Sequence, residues 1–170
     1  MDQIHKIIEA FRTKDYTSFD TFYDLTKNQV FYAIINIVKN KDQAEDLMQD
    51  TYIKFLEKID QYKSGSNPYA YLSMIARNLA INYYNREKRI TKSDELLANI
   101  PAEVEDTPSD DIFKILSLLD DVEKEVVTLH IVNDLKFREI AKILGKPLGT
   151  VLWIYNKAIK KLKDKVGDVL

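Results

Sequence analysis

The 170-residue sequence contains no cysteine. That excludes a disulfide framework, a thiolate metal site, a cysteine nucleophile and thiol redox chemistry. Histidine is nearly absent too: His5 and His130 stand far apart, with no His-x-x-x-His pair, no Gly-rich phosphate loop and no nucleophile elbow anywhere in the chain. His130, beside Ile131 in an apolar stretch, reads as a helix-end residue, and no catalytic constellation or cofactor is expected. Glycine and proline number four each, too few for a turn-rich β architecture, and no segment alternates like a strand. Long apolar runs are missing as well; Val30 to Val38 is broken by Asn36, so neither a membrane span nor a signal core is expected and the cytoplasm is the simpler location. Finally, charge of one sign is missing: 25 Lys+Arg face 27 Asp+Glu, a net −2. At face value this weighs against a nucleic-acid binder, which ordinarily carries a basic footprint.

What is present is apolar periodicity. With 45% hydrophobic and 31% charged residues the chain has enough apolar surface for one or two small cores. Ile4, Ile7, Ile8 and Phe11 form one stripe of an amphipathic helix. A second helix is predicted from about Ser18 to Val38. The third opens on Asp42 and Glu45, which have capping-box spacing, and carries Ala44, Leu47, Met48, Thr51, Tyr52, Phe55, Leu56 and Ile59 on one face. Asn67-Pro68 predicts an N-cap followed by proline at the first position of a fourth helix burying Leu72, Ile75, Ala76, Leu79 and Tyr83. Beyond residue 111 come Ile112 to Leu119, a helix capped by Asp120 with Glu123 three residues on, and a shorter helix from Phe137 to Leu144 that stops at Gly145. A last helix starts near Thr150, with Val151, Tyr155, Ala158, Ile159 and Leu162 on its core side. Helix, tight Lys146-Pro147-Leu148-Gly149 connection and second helix make a helix-turn-helix pattern.

The near-zero net charge conceals segregation. Residues 1–76 carry a net −2, residues 77–92 a net +4 from Arg77, Arg86, Lys88, Arg89 and Lys92 against Glu87, and residues 112–170 a net +3. Between them, residues 93–111 hold seven acids, two prolines and no Lys or Arg. This reads as an acidic linker, 93–111, between an N-terminal helical domain, 1–92, and a C-terminal domain, 112–170. By charge alone the linker competes with DNA for the two basic faces.

Three stretches, Asp42-Gln43-Ala44-Glu45-Asp46-Leu47-Met48-Gln49-Asp50, Asn67-Pro68-Tyr69-Ala70-Tyr71-Leu72 and Ile75-Ala76-Arg77-Asn78-Leu79-Ala80, closely resemble the second conserved region of bacterial RNA polymerase sigma factors. Phe137-Arg138-Glu139-Ile140-Ala141-Lys142-Ile143-Leu144-Gly145, with Gly149-Thr150-Val151 and Lys157-Ala158-Ile159-Lys160-Lys161-Leu162, resembles the fourth region. Two such modules and a short linker resemble the extracytoplasmic-function group. The resemblance implies an all-α fold, with a region 2-type bundle and a region 4-type helix-turn-helix domain. It also implies core RNA polymerase and promoter DNA as partners, an anti-sigma factor as a further one, and no enzymatic activity, small-molecule substrate or metal.

The third helix carries a second face, Asp46, Gln49, Asp50 and Ile53, able to dock a partner helix or simply to be solvated. The resemblance places there the contact with the coiled-coil clamp of the polymerase largest subunit, with carboxylates for arginine. By the same resemblance the minus-ten element is held by Ser64, Gly65, Ser66, Asn67, Tyr71, Arg77, Asn78, Asn82, Arg86 and Arg89, a mixture of basic, amide and aromatic groups suited to single strands and flipped bases. Tyr71 stands where many relatives have Trp; the other reading makes Tyr71 core, and for Tyr83 the core reading is preferred. The minus-35 element falls to Arg138, Lys146, Thr150, Leu152, Trp153, Asn156, Lys157 and Lys160 in and around the last helix.

Here the chain departs from the family, which commonly has Lys, Ser and Arg after Gly-Thr-Val where this sequence has Leu152, Trp153 and Ile154. All three positions lie off the stripe of Val151, Tyr155, Ala158 and Leu162, so Trp153 at least is expected to point outward. Contact with thymine methyls, packing on a partner protein, and a rotated helix with the ring in the core remain open. Two alternatives therefore stand beside a promoter-reading sigma factor: a sigma-like interaction protein whose last helix meets a protein partner, and a free-standing helix-turn-helix repressor, which has no need of a polymerase-docking face.

Overall fold

A computed structural model describes residues 3–93 and 110–167. The expected linker lies outside the described residues except at its two ends. The chain divides into two compact units, Met1–Leu97 and Ala98–Leu170. Among the described residues all regular structure is helical, as the scarcity of glycine and proline and the three-and-four spacing predict.

The first unit consists of α1 (Gln3–Arg12), α2 (Phe19–Val38), α3 (Lys41–Glu57), a 3-10 turn (Ile59–Gln61) and α4 (Pro68–Ser93). Its core is aromatic. Phe22 of α2 stacks on Phe55 of α3 at 5.1 Å and receives the edge of Phe11 from α1 at 5.2 Å. The Thr26 and Tyr52 hydroxyls share a hydrogen bond of 2.8 Å in this interior, which pairs two polar groups that burial would otherwise penalise. Leu72, Ile75, Ala76 and Ala80 bring α4 onto the same core, whereas the predicted core residues Leu79 and Tyr83 are half-buried. The cap of α3 differs from the sequence expectation. Asn40, not Asp42, is the N-cap: extended at φ −139°, it accepts a hydrogen bond on Oδ1 from the Gln43 N–H at 2.9 Å. The helix therefore begins at Lys41 and places Asp42 in its first turn, where a carboxylate still meets the positive end of the helix dipole. Asn67 caps α4 as predicted, accepting from the N–H groups of Tyr69 and Ala70.

The second unit contains α5 (Asp110–Ser117), α6 (Asp121–Val127), a π-helical turn (Thr128–Val132), α7 (Phe137–Leu144) and α8 (Leu148–Gly167). The predicted capping box is present: Asp120 accepts from the Glu123 N–H at 2.9 Å, and Glu123 accepts in return from the Asp120 N–H at 3.1 Å. Gly145 ends α7 at φ +61°, a left-handed geometry that favours glycine. Leu116, Leu119, Val127 and Ala158 form a buried cluster against which Tyr155 and Leu162 pack. His130 donates from Nδ1 to the Leu135 carbonyl, 2.9 Å away, and stacks on Phe137 at 4.1 Å, which fits its reading as a helix-end residue.

Candidate functional site

Three surfaces collect the residues singled out above. On α3, Asp46, Gln49 and Asp50 are all exposed, and Ile53 continues their row at 57% exposure. Spacing of three and four puts the four on one face. Beside them an apolar hollow is lined by Phe19 and Tyr23 of α2 and by Gln49, Tyr52, Ile53 and Leu56 of α3. The face is therefore a polar ridge with carboxylates at one end and an apolar notch at the other, a form that accommodates another helix.

The second surface begins at the turn before α4. Ser64, Gly65 and Ser66 are exposed, and Gly65 sits at φ +81°. From this turn α4 presents Asn78, Asn82, Arg86 and Arg89 in one exposed row at intervals of four, four and three, with half-buried Tyr71 at its start. Arg77 is half-buried on the neighbouring face, and the Arg86 guanidinium lies 5.6 Å above the Tyr83 ring. Tyr71 is anchored inward: its ring meets Phe55 at 5.9 Å and Tyr62 at 5.6 Å, and its hydroxyl donates to the Lys58 carbonyl at 3.3 Å. It nonetheless remains half-buried and so partly open to solvent. Met74, exposed one turn before Asn78, belongs to the same row; an apolar residue between polar ones gave no signal in the sequence.

The turn is braced by α1, which the sequence reading treated only as core. Arg12 donates from Nη1 to Ser64 Oγ at 3.2 Å and from Nη2 to the Tyr62 carbonyl; Ser64 Oγ donates to Glu9 Oε1 at 2.5 Å. His5 Nε2 is 3.1 Å from the Ser66 carbonyl. These contacts span 50 residues or more, so no local pattern announces them.

On the third surface, in α8, Thr150, Asn156, Lys157 and Lys160 are exposed, as are Arg138 of α7 and Lys146 of the connection. Trp153 is the most exposed of these apolar positions at 62%, with Leu152 at 37%. Ile154 corrects the sequence expectation: it is 7% exposed and belongs to the core, because Val151, Ile154 and Ala158 at i, i+3 and i+7 make the buried stripe while Tyr155 turns toward His130 and Phe137. The rotated-helix reading, with the indole inside, is thereby excluded.

Behind this surface lies Glu123, whose side chain is 2% exposed. Its Oε2 accepts from Lys161 Nζ at 2.9 Å, and Lys157 Nζ lies at ion-pair distance, 3.1 Å from Oε1, without the alignment of a directed hydrogen bond. Burial pushes this carboxyl upward, but the Lys161 and Asp120 hydrogen bonds and the Lys157 ammonium outweigh it and hold it at about 2. Lys157 also lies 5.4 Å over the Trp153 ring, so one ammonium links the buried carboxylate to the exposed indole.

The three surfaces lie within segments that match known families. The family model for sigma-70 region 2 matches residues 22–90, and that for sigma-70 region 4 matches residues 115–164. The ECF RNA polymerase sigma factor BldN of Streptomyces coelicolor is 29% identical over 176 residues, covering 96% of this chain and 66% of its own length. The ECF sigma factor SigM of Bacillus subtilis is 27% identical over 151 residues, covering 85% of this chain and 92% of its own. Among solved structures, the sigma factor RpoE of Bartonella quintana, in complex with the anti-sigma factor NepR, is 27% identical with a TM-score of 0.68, covering 88% of this chain and 96% of that one. CnrH, in complex with the cytosolic domain of CnrY, shares the fold at 17% identity, with a TM-score of 0.68 over 98% of this chain and 99% of its own.

Proposed function

We infer a division of labour from one premise: the chain belongs to the sigma-70 family of RNA polymerase sigma factors, and to its ECF group. It is a transcription initiation factor that binds core RNA polymerase and directs it to promoters, with the N-terminal unit at minus-ten DNA and the C-terminal helix-turn-helix at minus-35 DNA. Sigma factors are not enzymes, and this one supplies positioning and strand capture to a catalytic partner. Its place of work is the cytoplasm, where polymerase is. An anti-sigma factor is a further partner, in line with the complex seen for the RpoE relative.

Residue roles follow from the three surfaces. Asp46, Gln49, Asp50 and Ile53 dock a helical element of the polymerase, the carboxylates meeting arginine and the Ile53 hollow taking an apolar side chain. The 63–67 turn, Tyr71, Arg77, Asn78, Asn82, Arg86 and Arg89 hold the minus-ten strand, with guanidinium groups along the phosphates and amides toward the bases. Trp153, Leu152, Thr150 and Asn156 face the minus-35 base edges, and Arg138, Lys146, Lys157 and Lys160 lie toward phosphates. Residues 1–92 and 112–170 are the working domains, and 93–111 is the acidic tether.

The observation that carries this reading is the exposed row of α3, whose polar and apolar ends adjoin a ready-made hollow. Charge reversal at Asp46 and Asp50 is expected to lower core-polymerase affinity at least a hundredfold, with helical circular dichroism unchanged. Wild-type affinity in that variant would remove the docking assignment. The interaction-protein alternative loses ground because one of its three contact residues, Ile154, is buried.

A further inference from the structure

We propose that α1 is a latch on the strand-capture turn, with Arg12 as its positioning residue. The inference rests on the reading of residues 63–67 as part of the minus-ten site. It goes beyond that reading because α1, Gln3–Arg12, precedes the residues matched by the region 2 family, 22–90.

The helix has two faces with separate tasks. Ile4, Ile7, Ile8 and Phe11 are buried in the aromatic core. His5, Glu9 and Arg12, at i, i+4 and i+7, form a polar row aimed at the turn. Arg12 grips two points at once, the Ser64 hydroxyl and the Tyr62 carbonyl, and pairs with Glu9 at 3.6 Å. The planar guanidinium suits this two-point grip, which a single ammonium cannot reproduce. The Ser64 hydroxyl has its proton committed to Glu9 and one lone pair to Arg12. At the far side of the turn the Ser66 carbonyl receives the Tyr62 hydroxyl at 2.5 Å and faces His5 Nε2 at 3.1 Å, which fills both of its lone pairs. An internal bond from the Ser66 N–H to the Lys63 carbonyl, 3.0 Å, closes the turn around Gly65.

Ser64 therefore acts on DNA indirectly. Tied back to α1, it shapes the turn and has no proton left to donate to a base, so the donors left for the strand are the exposed backbone around Gly65 and the α4 row. The Arg12 Nε is buried without a hydrogen-bond partner among the described residues. A turn fixed before the strand arrives loses little freedom on capture, so its order appears in DNA opening rather than in polymerase affinity.

The test uses the full chain with core polymerase on a promoter mapped by run-off transcription. Opening is read as permanganate reactivity of minus-ten thymines, and core affinity is measured in parallel. Arg12→Ala is expected to lower opening at least fivefold with core affinity unchanged, and to speed hydrogen exchange of the Gly65 and Ser66 amides. Arg12→Lys, which keeps the charge beside Glu9 and so the helix, is expected to lose opening in the same direction. Lys6→Ala, on the exposed side of α1, serves as the control at wild-type level. If Arg12→Ala and Arg12→Lys both open DNA normally while Asn82→Ala with Arg86→Ala does not, the latch is wrong and the minus-ten reading stands. If neither the Arg12 variants nor the α4 variant affects opening, the minus-ten reading falls and takes the latch with it.

Discussion

Trp153, 62% exposed, and Leu152 form a small apolar patch on a helix whose opposite face is buried, with the Lys157 ammonium 5.4 Å over the indole. An aromatic plane next to Asn156 and Thr150 suits contact with thymine methyl groups in a major groove. Trp153→Ala is expected to weaken minus-35 duplex binding about tenfold, on the order of 1–3 kcal/mol, with core-polymerase affinity unchanged; normal duplex affinity combined with loss of a protein partner would transfer the ring to a protein interface. Glu123 governs the neighbouring lysines. Its carboxylate engages Lys157 and Lys161 from inside the unit, and this pairing competes with phosphate for both. Glu123→Gln keeps an acceptor for the Asp120 N–H and removes only the charge. The expected result is a steeper fall of log K with log salt for duplex binding, by about 0.9 for each lysine released; an unchanged slope would mean that the lysines never reach the backbone. The same residue sets a pH signature. Its carboxyl lies at about 2 in the fold against an ordinary 4.5, so its contribution is complete above about 4.5 and is lost as pH falls through about 2. In thermal melts the advantage of the wild type over Glu123→Gln should shrink across that window.

At the level of elements, most of the architecture follows from local rules that the chain obeys: the Asn67-Pro68 start of α4, the Asp120/Glu123 box of α6 and the Gly145 stop of α7 are each set by groups within three or four residues. The α3 start is the instructive departure. Asp42 and Glu45 have the right spacing, but Asn40 lies two residues upstream and already carries the extended φ/ψ of a cap. Asn40→Ala is expected to cost about 1 kcal/mol in urea denaturation, and Asp42→Ala only a few tenths; the reverse order would restore the capping-box reading. Ile154 marks the limit of the stripe argument. Assigning Tyr155 wholly to the core shifted the inferred axis of α8, whereas Tyr155 is half-buried against His130 and Phe137 and leaves the centre of the core face to Ile154. The α1 brace on the 63–67 turn and the Glu123 link to α8 were illegible for a different reason. Their partners are brought together by tertiary packing across 34 to 61 residues, and sequence periodicity carries no information at that range.

For the molecule as a whole, the net charge of −2 is a sum over segments of opposite sign. The acids cluster in residues 93–111 and on the exposed row of α3, while the bases cluster on the outer part of α4 and on α8. Such segregation lets one face meet arginine on a protein and others meet phosphate, and it makes the whole-chain charge a poor guide to either partner. In the proposed function the two units act on one polymerase, so the central claim concerns the assembled enzyme. Run-off transcription with core polymerase and genomic fragments tests it most directly. The account predicts discrete transcripts that appear only when this chain is added and that vanish with the Asp46 and Asp50 charge reversal. An unchanged transcript pattern with and without the chain, under conditions where it binds the core enzyme, would contradict it.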